Sequence, residues 1–316
     1  SDGCPPRSAH LPGDRMHRLI AVTVAVLVIG ACSTAPVGPS VNATLFEGAR
    51  LITGETSAPI ENSAFLIEGD TVTRVGRRGE VPLPDGAARV DLTGKTVMPA
   101  IINAHGHLGY RKGASFTAEN YTRENIIDQL ERLAYHGVGT VMSMGAEREV
   151  GYALRDELRI SPRSNTALFL TAGRGLAMPN GGPAPPLRDA PYGVSTEAEA
   201  RQAVQELRSR NVDGYVKIWV DDRGGTVPKL PRALYAAAID EAHKNNLLTV
   251  THTFELADVK EILRAGIDGL AHPPWRSGAA VDEEVLGSLG AGSAVNLEAD
   301  ILGKYVRRSL ERIEDR

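Results

Sequence analysis

Beyond residue 32 the chain has no cysteine; the two it carries, Cys4 and Cys32, lie near its start. That absence excludes an internal disulfide and a cysteine metal cluster from everything downstream. A metal site there must draw on histidine, carboxylate or a modified side chain. An excess of one charge is lacking too. The formal net charge is -4, from 35 Lys+Arg and 39 Asp+Glu, and such a balance gives no footprint for nucleic acid. No apolar run reaches the ~20 residues of a membrane-spanning helix, and no internal repeat or low-complexity tract is present. What is there, 316 residues with 42% hydrophobic and 23% charged, is globular in composition, enough for one large domain or two ordinary ones.

The most apolar stretch, Leu19 to Ile29, follows the basic Met16-His17-Arg18 and ends in Gly30-Ala31-Cys32. A basic start, an apolar run and small residues read as a secretory signal. Ile29-Gly30-Ala31-Cys32 also resembles a bacterial lipobox. It predicts lipidation of Cys32 and a lipid anchor in the bacterial cell envelope, with the protein facing the periplasm or exterior. Residues before Met16 read as an upstream extension, and residues 33–42, rich in Pro and Gly, suit a tether. Residues 1–42 are thus expected to be leader, signal and tether.

Residues 43–96 hold short β-like runs at Ala43–Leu45, Ala64–Glu68, Thr71–Val75 and Arg89–Leu92, with a hairpin signal at Gly69-Asp70. They predict a small β subdomain. From Val97 the pattern becomes strand alternating with helix, which implies a parallel sheet. A buried strand over 97–107 is followed by an amphipathic helix over 119–136, with Ile126, Ile127, Leu130 and Leu133 on one face. Further strands are expected at 138–142, 166–171, 214–220, 247–252, 267–271 and 293–297, and a short helix at 283–289. Thr196 and Glu199 form a capping-box signature, and Pro231 opens a helix. About seven βα units result where a closed barrel needs eight.

The chemistry-bearing residues fall at strand ends. The stretch Val97 to Tyr110 reads as a strand that ends in His105-Gly106-His107, whose histidines, two apart on a strand, share a face. Lys217 lies in Tyr215-Val216-Lys217-Ile218-Trp219, His252 closes Thr249-Val250-Thr251-His252, and His272 follows Leu270-Ala271. In a (β/α)8 barrel the C-terminal strand ends form one face, so these five residues would meet there as a metal site. His136 and His243 sit near helix ends, where a partly positive imidazole suits the dipole, and read as structural. A buried lysine is costly to charge; its neutral amine reacts with carbon dioxide to give a carbamate, an anionic oxygen ligand. Asp221 and Asp222 are not obvious partners by strand alternation.

On these residues the chain resembles the metal-dependent amidohydrolase superfamily, in its imidazolonepropionase- and prolidase-like branch. The resemblance covers about residues 43–298. It rests on the small β domain, the Pro-x-x-Ile-Asn-x-His-x-His strand, the Lys-Ile-Trp strand and the later histidines. It implies an α/β fold: a TIM-like (β/α)8 barrel over 97–316, here incomplete, with a small N-terminal β-sandwich subdomain. It implies zinc or a similar divalent metal, two ions: His105 and His107 on one, His252 and His272 on the other, carbamylated Lys217 bridging. It implies cleavage of an amide, peptide or cyclic amide C–N bond by metal-activated hydroxide, on a small amide or dipeptide-like substrate. The family's eighth-strand aspartate is not found. Asp300 lacks an apolar strand context, so no general base is assigned, and a truncated chain with impaired activity is expected. The alternative is a catalytically inactive surface lipoprotein that keeps the barrel as a binding scaffold. Substrate contacts are expected from Tyr110, Arg111, Arg174 and the loop from Gly173 to Pro186.

Overall fold

A computed structural model describes residues 42–274 and 294–295. The leader expected with Cys32, the helix expected at 283–289 and Asp300 lie outside the described residues. The chain divides into two compact units, Ser1–Val97 and Met98–Arg316.

In the first unit, strands β1 (Ala43–Glu47), β2 (Arg50–Leu51), β3 (Ser63–Glu68), β4 (Thr71–Arg77), β5 (Ala88–Asp91) and β6 (Thr96–Val97) build two small sheets. One has the order β4-β3-β1-β5, and β2 pairs with β6 in the other. Glu68 faces Thr71 across the β3–β4 turn. Gly69 has φ +64 there, a left-handed conformation that costs glycine nothing. Leu45, Ala64, Leu66 and Val81 form the unit's core.

The second unit alternates strand and helix. Its strands are β7 (Ile101–Gly106), β8 (Arg111–Lys112), β9 (Ser115–Phe116), β10 (Val138–Ser143), β11 (Leu168–Thr171), β12 (Leu176–Ala177), β13 (Tyr192–Gly193), β14 (Tyr215–Trp219), β15 (Leu248–His252), β16 (Gly269–Leu270) and β17 (Ala294–Val295). Its helices are α1 (Arg123–Tyr135), α2 (Glu149–Ile160), α3 (Glu197–Ser209), α4 (Arg232–Lys244) and α5 (Leu256–Arg264). Among the described residues β11-β10-β7 form one parallel sheet and β13-β12-β14-β15-β16-β17 a second. Parallel neighbours require crossovers, and α1, α2, α3, α4 and α5 supply those from β7 to β10, β10 to β11, β12 to β14, β14 to β15 and β15 to β16.

The local reasons are readable. Thr122 caps α1 by accepting the Asn125 N–H. Ile126 and Leu130 are fully buried, each contributing ~1.5–3 kcal/mol relative to exposure. Thr196 and Glu199 make the reciprocal capping box of α3. Pro231 is the N-cap of α4 and precedes its first helical residue. No helix among the described residues is long and apolar enough to cross a membrane.

Two expectations need correction. The His-x-His strand is not buried: Ile101 is 53% and Ile102 68% exposed, because β7 is the edge of its sheet among the described residues. The stretch 172–192 is not all loop. It contains β12, joined to β14 at Leu176 and Ile218, which periodicity misses because two residues show no period.

Candidate functional site

The structure brings the four strand-end histidines and Lys217 together. Ring centroids are 5.2 Å apart for His105–His107, 4.8 Å for His105–His272 and 4.8 Å for His252–His272. Lys217 is buried, its Nζ 5.5 Å from the Trp219 ring, which stacks on His107 at 6.5 Å. Strand alternation alone does not aim His105. Between the pairs Asn103–Val141 and Gly106–Ser143, β7 has the two residues Ala104 and His105 where β10 has Met142 alone. Such a bulge re-aims a side chain. Gly106 sits where the strands close up: a Cβ there would lie 3.1 Å from Val141 Cγ2, a tight contact.

The electrostatics keep the rings neutral. Burial first, then the Lys217 charge, pushes His105 far below the usual imidazole range. The same two causes take His107 down to about 3. Burial and then His252 take His272 down to about 3. Burial lowers His252 as well, against the Asp221 hydrogen bond. Neutral imidazole is the form that ligates a metal.

Two of the rings are oriented by their partners. His107 Nδ1 lies 3.3 Å from the Gly145 carbonyl oxygen. A carbonyl only accepts, so Nδ1 carries the hydrogen and Nε2 the lone pair. His252 Nε2 lies 3.3 Å from Asp221 Oδ2, which leaves the lone pair on Nδ1 by the same reasoning. His105 Nε2 is buried with no hydrogen-bond partner among the described residues. Adjacent rings are not yet a cage: no three His, Cys, Asp or Glu side chains among the described residues are arranged to hold an ion.

Some residues turn out otherwise than expected. Asp221, set aside on strand alternation, is buried against His252; it lies just past β14, where alternation no longer applies. Tyr110 is fully buried, its hydroxyl donating to the Ala146 carbonyl at 2.5 Å. Arg174 donates from Nε to the Ala190 carbonyl at 2.6 Å and covers the Tyr192 ring at 4.2 Å. The Tyr110 hydroxyl and the Arg174 Nε are thus each engaged with a backbone carbonyl. Arg111 is exposed, lies over Phe116 at 5.2 Å and lines a cleft that His107 also lines. Glu147, unremarked in the sequence, is buried and bonded to Ser143, four residues before it, and to the distant Tyr121; its burial depends on packing against that distant segment, which no local motif marks. His243 pairs with Asp268 at 2.8 Å, and His136 is the C-cap of α1.

Residues 96–287 match the Amidohydrolase family. The chain belongs to this family. It is 30% identical over 126 residues to Imidazolonepropionase from Pseudomonas aeruginosa (strain UCBPP-PA14), a stretch covering 37% of this chain and 30% of that protein. A candidate prolidase from Bifidobacterium longum superposes with a TM-score of 0.63 at 26% identity, covering 79% of this chain and 57% of the other. A Xaa-Pro dipeptidase with bound methionine gives 0.60 at 20% identity, covering 72% and 61%. Phenylurea hydrolase B gives 0.67 at 21%, covering 80% and 64%. The chain thus spans less than two thirds of each of these proteins. The likeness identifies a TIM-like α/β barrel fold and places the chain in the imidazolonepropionase- and prolidase-like branch.

Proposed function

We propose that this chain carries the site of a metal-dependent hydrolase that cleaves the C–N bond of an amide, dipeptide or cyclic amide. The observation that carries the reading is the meeting of four neutral histidines, at or just past the ends of three strands, with a lysine buried in the middle of a fourth. The donor set fits a zinc-like cation. The imidazoles are uncharged, His105 Nε2 is buried and without a hydrogen-bond partner among the described residues, and the second nitrogens of His107 and His252 face oxygen acceptors, as ligating histidines do. In this reading His105 and His107 would hold one ion and His252 and His272 a second. Lys217, as its carbamate with carbon dioxide, would supply an anionic oxygen ligand, within an incomplete barrel that follows the small β unit in the chain.

Ions so held supply Lewis-acid polarisation of a carbonyl and a lowered pKa of water. The chain's own residues prepare the place. Burial keeps the rings unprotonated near neutral pH. Gly145 and Asp221 hold the hydrogens of His107 and His252 away from the lone pairs. Beside His105 a cavity of about 360 Å³ is lined by Met142, Met144, Leu170 and Val250, an apolar wall that strengthens polar interactions next to it. The names Imidazolonepropionase, Xaa-Pro dipeptidase and phenylurea hydrolase among similar proteins support the C–N bond class. Zinc content per chain, with turnover of dipeptides, cyclic amides and phenylureas, tests the reading. A chain that binds no divalent metal and turns over none of them refutes it. Anchoring through Cys32 is a separate proposal: Cys32→Ser should release the protein from the membrane fraction, and unchanged partitioning would reject it.

A further inference from the structure

Gly145 and Ala146, which follow β10, are both left-handed, with φ +91 and +67. Glycine adopts this freely, but alanine pays roughly 1 kcal/mol or more. Position 145 admits only glycine, since a Cβ would strike the Trp219 ring and come 2.9 Å from Lys217 Cγ. The strained pair is braced from several sides. The Tyr110 hydroxyl donates to the Ala146 carbonyl at 2.5 Å, the Ala146 N–H to the Arg174 carbonyl at 3.0 Å, and the Glu147 N–H to the Gly173 carbonyl at 3.2 Å.

Beneath the turn lies a buried polar network. The Ser143 hydroxyl donates to Glu147 Oε1, and the Tyr121 hydroxyl donates to Glu147 Oε2 at 3.0 Å. The Leu108 N–H reaches Ser143 Oγ at 3.4 Å, and the Arg148 N–H reaches Tyr121 Oη at 3.3 Å. Helix α2 makes room for it with Gly151. A Cβ there would strike Tyr121 Oη and come 2.7 Å from Glu147 Oε2, although a glycine inside a helix costs about 1 kcal/mol relative to alanine. Burial, outweighing the two hydroxyl donors, pushes the Glu147 carboxyl up to about 8. What all this delivers at its far end is one carbonyl, that of Gly145, aimed at His107 Nδ1.

We propose that the Ser143–Glu147–Tyr121 network and the strained Gly145–Ala146 turn are a positioning device for His107, locking its tautomer with hydrogen on Nδ1 and Nε2 presented to the site. The purpose of the device rests on the metal reading above; its geometry does not. Ser143, Glu147 and Tyr121 are positioning residues, acting on His107 through backbone.

The test is a long-range ¹H–¹⁵N correlation spectrum of the metal-stripped full chain, with ¹⁵N-labelled histidine, near neutral pH. His107 should read as the Nδ1–H tautomer in the wild type. In Ser143→Ala and Glu147→Ala it should become a tautomer mixture, while Glu147→Gln, neutral and of the same shape, should keep the wild-type signal. Cobalt affinity, by chelator competition, should fall ~10–100-fold in the alanine variants, the range for outer-shell partners, and hold in Glu147→Gln. If Glu147→Ala does not fold, Ser143→Ala and the milder Tyr121→Phe decide. An unchanged Nδ1–H signal in every folded variant that breaks the network overturns the proposal. A wild-type chain with that signal but no cobalt binding overturns the metal reading instead, and leaves the positioning device standing.

Discussion

Strand β15 has a histidine–aspartate pair at each end. At its start Asp268 accepts from the Thr249 N–H and hydroxyl, both at 2.7 Å, and meets His243 Nε2 at 2.8 Å. At its finish His252 Nε2 meets Asp221 at 3.3 Å. The chemistry of the two pairs is the same and their settings are opposite. The His243 side chain is 43% exposed and that of His252 12%. Asp268 spends its acceptors tying helix α4 to the strand, and its carboxyl is held below the usual carboxylate range by His243 and Thr249 against its burial. His252 stands among other neutral rings, with its own basicity suppressed. A His–Asp pair is therefore not a site by itself. Here the pair at the start of the strand ties elements together, and the pair at its finish orients a ring of the histidine cluster.

Removing a ring from the finishing end should be the most damaging change. His252→Ala is expected to lower metal affinity by more than about 100-fold, beyond the 10–100-fold typical of outer-shell losses. His243→Ala should leave that affinity unchanged in the same chelator competition. Equal losses would break the comparison.

The dry surroundings of the strand ends should also appear in stability. Between the ordinary glutamate pKa of 4.5 and the value of about 8 for Glu147, the folded chain keeps a proton that the unfolded chain has released. Stability should therefore fall as pH rises from about 4.5 and level off above about 8, by up to a few kcal/mol. Glu147→Gln should flatten that part of the profile in urea titrations. A variant with the wild-type slope would mean that Glu147 is ionised when folded.

Asp221→Ala keeps every ring and removes only an orienting partner, so a loss of ~10–100-fold in metal affinity is expected; no change would show that Asp221 does not orient His252. The smallest effect should come from the starting end. His243→Ala removes one hydrogen bond to Asp268 at a cost of ~0.5–1.5 kcal/mol, visible in denaturant midpoint and not in metal content.

Much of the framework was legible in advance. The Gly69–Asp70 hairpin, the Thr196–Glu199 capping box and the alternation of strand and helix are local patterns, and the structure bears them out. So was the presence of His105, His252 and His272 at or just past strand ends; Lys217, expected at an end, instead stands mid-strand, because β14 runs on through Trp219. The roles of Tyr110 and Arg174 were not, because a polar side chain in a Gly/Pro-rich region reads the same whether it meets a ligand or a carbonyl from another segment. Ile101 and Ile102 read as core, since periodicity reports which residues are apolar and not whether a neighbouring strand covers them.

By itself the sequence determined the longer helices and strands and the strand ends near which His105, His252 and His272 stand, because capping, turn chemistry and apolar period act over a few residues. Only the tertiary structure decided what each ionisable group faces. The bulge at Ala104–His105, the Gly145 carbonyl on His107, Asp221 on His252 and the burial of Glu147 depend on register and packing between segments far apart in the chain. Hydrogen bonds of this kind work over about 3 Å, a precision that only the packed strands impose.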